Sequence, residues 1–235
     1  AMPDAKIALA TGVFLGLGTL LEYQGVFLSA ALGLYALTVF WRPRVLGALA
    51  LGAGACAAVL MLFQWRSFGS PLASGHKMME TQAFGELWKA GFLGFTAPNR
   101  EAIVGLLFDR GYGFFGTSPF FWLVVLFPLA LLRRVPSASA IEARRAAWVS
   151  LVASGILVLT LGSSLMWRGG WTIGPRYLGA LPGLLVVPLV MGLDAAAEAS
   201  SRAVVRGIAG GLALASFLQT GVLSLLVSTL PEAIT

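Results

Sequence analysis

Two arginines, two tryptophans and three glycines crowd into Trp167-Arg-Gly-Gly-Trp-Thr-Ile-Gly-Pro-Arg-Tyr177, between two long apolar runs. Gly169, Gly170 and Gly174 let backbone approach a partner closely, and Pro175 predicts a helix starting near Arg176. A helix N-terminus flanked by the guanidinium groups of Arg168 and Arg176 suits a phosphate, because N–H groups, dipole and forked donors all favour an anion. The competing reading is plainer: both arginines bind lipid headgroups or snorkel, while the tryptophans anchor the membrane interface.

Other polar groups with chemical potential are few. Asp109-Arg-Gly-Tyr-Gly-Phe-Phe115 places an acid beside an arginine just ahead of an apolar run. Either the two pair locally, or Arg110 faces a phosphate with Asp109 orienting it. Glu22, with Tyr23 and Gln24, interrupts the apolar stretch from residue 7 to 41. An outer turn explains it more cheaply than burial in lipid, and a general base or sugar-binding carboxylate is the sharper option. His76 is the sole histidine, so with Lys77 it is a candidate for helping to hold a phosphate or a leaving group, but not for completing a zinc site. No Gly-x-Ser-x-Gly context supports serine nucleophile chemistry.

The elements that must position these residues are helices in a membrane. Of 235 residues 58% are hydrophobic and only 11% charged, and mean hydropathy is +0.86, far from soluble-domain usage. Apolar runs near residues 7–21, 25–41, 45–65, 117–132, 147–166, 177–193 and 207–227 predict about seven spanning helices, the first two and the fourth short for a bilayer. The expected fold class is therefore an all-α membrane bundle forming one transmembrane domain over 1–235. No alternation of the kind a membrane barrel needs is present. The net charge of +6 comes from clusters at helix ends, which fits membrane topology and not nucleic-acid binding. Cys56, the single cysteine, falls in an apolar Gly/Ala run and can form no internal disulfide.

Arg42 and Arg44 lie between the second and third runs, and Arg133, Arg134, Arg144 and Arg145 between the fourth and fifth. The positive-inside rule makes both loops cytoplasmic, together with the N-terminus and 194–206. Residues 22–24, 66–116 and 166–176 then face outward, and nearly every unusual polar group collects there. Trp41 and Trp148 mark inner ends, and Trp65, Trp167 and Trp171 outer ones. Within the long outer loop Phe84, Leu87, Trp88, Gly91, Phe92 and Phe95 recur at helical spacing, which predicts an interfacial helix. A second short helix is predicted over Asn99–Phe108, with Asn99 as its cap. Gly47, Gly52 and Gly54 in the third run, and Gly207, Gly210 and Gly211 in the last, are expected to form close-packing faces.

With these residues in view, Trp167 to Pro182 resembles the Trp-Gly-Gly-Trp-x-x-Gly-Pro-Arg-Tyr/Phe-Leu signature of bacterial multi-pass proteins related to GT-C glycosyltransferases. Phe68–Gly75, Leu106–Pro119 and Gly12–Gln24 resemble further stretches of that group in the same order. The resemblance implies a membrane enzyme that moves a sugar from a polyprenyl-phosphate carrier to a glycan, lipid or protein acceptor on the outer side of the plasma membrane. It also implies an acidic base in a first outer loop near the N-terminus, and basic residues holding the lipid phosphate. On that basis Arg176, Arg168, Arg110 and Tyr177 become lipid-phosphate residues, and Asp109, His76 and Lys77 accessories. Here the chain departs from the pattern: Glu22 stands where the family shows a basic or polar residue, and no acid-bearing first loop precedes it. The expectation is a C-terminal portion of a longer protein whose catalytic carboxylate lies upstream, with Glu22 as the weak internal candidate. No cofactor is implied, and assistance by a divalent cation stays open. Two other classes also stay open: a lipid-phosphate-binding transporter or flippase, and a non-catalytic membrane scaffold.

Overall fold

The computed structural model describes residues 4–21, 25–40, 42–73, 95–133, 138–168 and 176–222. All their regular structure is helical, and the chain divides into two compact units, Ala1–Phe95 and Thr96–Thr235.

The first unit contains α1 (Ala5–Leu21), α2 (Gly25–Val39) and α3 (Pro43–Phe68). Glycine decides how α1 and α3 meet. A Cβ on Gly12 would strike the Leu49 carbonyl, one on Gly16 would lie 2.6 Å from Cys56 Cβ, and one on Gly52 would lie 2.7 Å from the Val13 nitrogen. Contacts that advance together along both helices mean that α1 and α3 run parallel, with α2 returning between them in the chain. Without water to drive apolar association, such backbone approach is what holds helices together in lipid. The Ser29 hydroxyl adds a hydrogen bond of 2.7 Å to the Leu15 carbonyl, joining α2 to α1. Pro43 occupies the first turn of α3, where its missing N–H costs nothing. Gly69, at φ 74°, ends the helix in the left-handed conformation and donates its N–H to the Trp65 carbonyl.

The second unit contains α4 (Arg100–Phe108), the short α5 (Phe114–Thr117), a 3-10 segment Pro119–Leu126 leading into α6 (Phe127–Leu132), α7 (Ala138–Gly162), a 3-10 turn Arg176–Leu178, α8 (Leu181–Ala199) and α9 (Arg202–Ser216), which loosens into a π turn Phe217–Val222. Leu106, Phe114, Leu157, Leu161, Leu178 and Leu185 form its main core. Phe127, Ala130, Ala147 and Ala195 form a second core nearer the start of α7. The winding break at Ser118–Pro119 is stitched by hydroxyls: Thr220 donates to the Thr117 carbonyl at 2.6 Å, and Ser216 Oγ accepts from the Phe120 N–H at 2.9 Å.

Among the described residues four helices are long and apolar enough to cross a membrane: Pro43–Phe68, Ser139–Gly162, Leu181–Ala199 and Arg202–Gly221. Ala5–Leu21, Gly25–Val39 and Pro119–Leu132 are apolar but shorter, the same three runs that looked short in the sequence.

Two boundaries and one packing expectation differ from the sequence reading. α7 begins at Ala138, so Arg144 and Arg145 are helical residues and not loop residues. The Arg144 guanidinium donates to the Ala130 and Arg133 carbonyls, satisfying the open C-terminal end of α6. The supposed loop 194–206 contracts to Ser200 and Ser201, because α8 continues through Asp194 and Glu198. Arg133 supports that extension by pairing with Glu198 at 2.9 Å and donating to the Asp194 carbonyl at 2.6 Å. Finally, among the described residues nothing packs against Gly207, Gly210 and Gly211, since a Cβ at each would meet none of their atoms within 4 Å. The same holds for Gly47 and Gly54, so in α3 only Gly52 has the expected packing role.

Gly12→Val should therefore lower the unfolding free energy in detergent by at least about 2 kcal/mol, the cost of overpacking a closed interface. Gly54→Ala should leave it within about 0.5 kcal/mol of the unsubstituted chain. Equal effects in a chemical unfolding titration would contradict the α1–α3 contact.

Candidate functional site

The polar residues of the second unit separate to the two ends of α7, which at 25 residues is about 36 Å long. Arg133, Arg144, Asp194 and Glu198 bind one another or nearby carbonyls at its start. The sequence-predicted site residues of this unit gather at its other end.

There α4 is fixed at its start. Asn99 caps it by accepting the Glu101 N–H at 2.9 Å, as the sequence predicts. The N–H groups of Thr96 and Asn99 donate to the Ser163 and Gly162 carbonyls at 2.7 and 2.8 Å, tying this start to the end of α7. Ala102 and Leu106, both fully buried, face the core. The second short helix that the sequence predicts therefore also carries the buried anchor of the next loop.

That loop is Asp109–Gly113. The Asp109 carboxylate accepts the N–H groups of Gly111 at 2.8 Å and Tyr112 at 2.9 Å, forming a turn in which the side chain replaces a backbone acceptor. Gly113 and Gly116 then wind against the backbone of Phe108 and Asp109, too closely for a Cβ. One Asp109 oxygen thus serves backbone amides of its own turn, a part that the sequence reading did not give it. Arg110, beside it, is exposed.

Tyr112 joins this loop to the tryptophan motif 55 residues on. Its ring meets the Trp167 indole edge-on at 6.0 Å. Its hydroxyl donates to the Arg168 carbonyl, with the Trp167 carbonyl 3.4 Å away. The indole in turn covers Gly105, where a Cβ would lie 2.5 Å from Trp167 Cη2. The Arg168 guanidinium stacks over the indole of Trp167, 4.9 Å from its centroid, and is exposed. A cation held over an indole face in this way still has N–H groups to offer an anion. Tyr177 packs on the same core cluster as Tyr112 and Trp167. Arg110, Arg168 and Tyr177 are thus carried by elements that share one end of one core.

The long helix does not begin near Arg176. Arg176–Leu178 is a single 3-10 turn, and α8 starts at Leu181 with Pro182 in its first turn. A three-residue turn has no helix dipole to offer, so anion binding at this end rests on the arginine side chains. Glu22, His76, Lys77 and the tryptophan-motif residues 169–175 lie outside the described residues, as does the side chain of Arg176. The interfacial stripe from Phe84 to Phe92 lies outside them too. Among the described residues no group of three His, Cys, Asp or Glu is placed to hold a metal ion.

The clasp roles of Tyr112 and Gly105 had no separate signal in the sequence, since nothing local pairs residue 112 with 168 or residue 105 with 167. Comparison with protein-family models, curated proteins and solved structures finds no match to this chain.

The two roles available to Asp109 make different demands on its charge. As a turn former it should be replaced by Asn at little cost, whereas Asp109→Ala should lose about 1 kcal/mol of stability with the two amide bonds. Tyr112→Phe should lose a similar amount, about 1 kcal/mol, through the orphaned Arg168 carbonyl. Thermal unfolding of the three variants checks both statements, and an Asn variant as damaged as Ala would restore a role for the charge.

Proposed function

We propose that this chain binds the phosphate of a polyprenyl-phosphate-linked sugar at the Arg110–Arg168 end of its second unit, and that it belongs to a membrane glycosyltransferase of the GT-C type acting on the extracytoplasmic side of the plasma membrane. The observation that carries the reading is the clasp of the Asp109–Tyr112 loop to Trp167–Arg168, which supports two exposed arginines on rigid backbone beside an aromatic core. Rigid placement matters because a guanidinium held before the ligand arrives loses little freedom on binding.

In this reading the three shorter apolar helices also cross the bilayer, giving seven spans, and the basic end with Arg133 and Arg144 faces the cytoplasm. Transfer breaks the bond between the sugar C1 and the phosphate oxygen, and the departing phosphate gains charge. Arg168 and Arg110, joined by Arg176 and Tyr177, stabilise that charge, an interaction stronger in the transition state than in the ground state. A carboxylate would accept the proton of the acceptor hydroxyl. Among the residues of this chain Glu22 is the candidate for that part. Asp109 is the poorer candidate, because its Oδ1 already accepts two N–H groups of its own turn.

A transporter or flippase of lipid phosphates is the second reading. It is favoured by the interrupted winding at Ser118–Pro119 and the π turn at Phe217–Val222 that meets it, since broken helices are the transporters' way of exposing backbone to cargo.

Arg168→Gln and Arg110→Gln should each weaken binding of undecaprenyl phosphate by roughly 10- to 100-fold, the loss of one charge-assisted contact. Equilibrium binding in nanodiscs measures this, with Arg133→Gln at the opposite end as the control expected to change nothing. Unchanged affinity in both site variants would end the anion-binding reading. Sugar release from a polyprenyl-phosphate sugar, present or absent, then separates enzyme from transporter.

A further inference from the structure

Arg144 and Arg145 are neighbours in sequence with different surroundings. Arg144 turns to the carbonyls at the end of α6, whereas Arg145, about 100° farther around α7, is exposed. Glu142, three residues earlier and so on the same face as Arg145, is exposed too. Among the described residues the ion pair at this end joins Arg133 to Glu198, and Glu142 and Arg145 stay apart.

Arg145 also heads an apolar stripe. Trp148, Val152 and Leu159 follow it at helical spacing and are all exposed. Gly155 lies between the last two, and a Cβ on it would meet none of the described atoms within 4 Å, which leaves a shallow notch in the face. From Ala146 to Gly162 the helix carries no charged residue. That length is about 25 Å, so the part of α7 suited to hydrocarbon starts directly after Arg145. Trp148 stands at that boundary, where indoles are favoured, and its ring meets Phe127 edge-on at 5.8 Å. Going outward from the hydrocarbon, the face presents a notched apolar strip, then an indole, then a cation. About 4.5 Å beyond the cation comes a carboxylate.

We infer that this face is a docking site for a phospholipid with a phosphoethanolamine head. The lipid carries complementary groups in the same order: acyl chain, glycerol, phosphate and, two carbons farther out, a primary ammonium. Arg145 donates to the phosphate, the contact that a guanidinium makes best. Glu142 accepts from the ammonium N–H groups. Trp148 lies at the level of the glycerol, and an acyl chain runs over Val152 and the notch at Gly155. Arg145 by itself would hold any phospholipid phosphate. Glu142 supplies the selectivity, because it opposes a second negative charge at the outer position, and the trimethylated nitrogen of phosphatidylcholine has no N–H to give it. The site requires α7 to cross the bilayer, and it is independent of the phosphate reading of Arg110 and Arg168.

The test is competitive lipid retention by the full chain in a polyoxyethylene detergent. Dioctanoyl phosphatidylethanolamine, phosphatidylcholine and phosphatidylglycerol are supplied in equal amounts, and bound lipid is read by native mass spectrometry. Short-chain lipids in detergent keep bilayer curvature out of the comparison. The unsubstituted chain should retain phosphatidylethanolamine over phosphatidylcholine by roughly 2- to 5-fold, the range of one exposed ion pair. Glu142→Gln should erase that preference, and Arg145→Gln should lower retention of both lipids. Arg168→Gln, at the other end of α7, should leave the preference intact, which separates a failure of the phosphate site there from a failure here. Equal retention of the two lipids by the unsubstituted chain overturns the inference, as does a preference that survives Glu142→Gln or unchanged retention in Arg145→Gln. A preference lost in Arg168→Gln places the selectivity at the other end and overturns it too. So does dominant retention of phosphatidylglycerol that depends on Arg145, which would make this an anionic-lipid site.

Discussion

An indole lying against a glycine sets the geometry of the polar end of the second unit. Because Gly105 has no side chain, Trp167 can cover α4, and the covered helix holds the Asp109 turn in place. Tyr112 closes the arrangement from the other side by bonding to the carbonyl beyond Trp167. Each member constrains the next: a side chain at 105 would expel the indole, and an expelled indole would remove both the platform under Arg168 and the acceptors of Tyr112. Such mutual dependence is how a close-packed interior transmits a single methyl group into displacement of a surface charge.

Lipid imposes the complementary constraint. A backbone in hydrocarbon has to satisfy its own hydrogen bonds, so every departure from regular α-helix needs a local donor or acceptor. The second unit shows how this is met. Thr220 and Ser216 serve the break at Ser118–Pro119, and Arg144 closes the end of α6. Arginines that would be costly in an apolar setting become structural when their N–H fork meets orphan carbonyls. The two ends of α7 therefore use the same residue type differently. At its start the guanidinium groups of Arg133 and Arg144 are spent on the protein, while at its finish Arg110 and Arg168 remain exposed.

Gln64 illustrates what a composition-based reading passes over. In the sequence it is one polar residue in a long apolar run, indistinguishable from a residue turned to a helix end or to water. Only burial, combined with the lack of a hydrogen-bond partner among the described residues, sets it apart, and both are properties of packing. Asp109 is the converse case. Its place beside Arg110 invites an ion pair, yet its Oδ1 is taken up by the amides two and three residues ahead, in a short-range turn.

Hydrophobic run lengths by themselves determined that the chain is helical and membrane-compatible, and which of its segments are short, because period and length follow from the fixed rise of a helix and the thickness of hydrocarbon. The Asn99 cap was equally legible, since a cap bonds to its own next residues. Tertiary structure alone decided that α7 starts at Ala138, that Gly12, Gly16 and Gly52 are packing glycines while Gly47, Gly54 and Gly207 meet nothing among the described residues, and that residue 112 meets residue 168. Those outcomes depend on which helix faces lie against one another, and side chains distant in sequence become neighbours only once that choice is made.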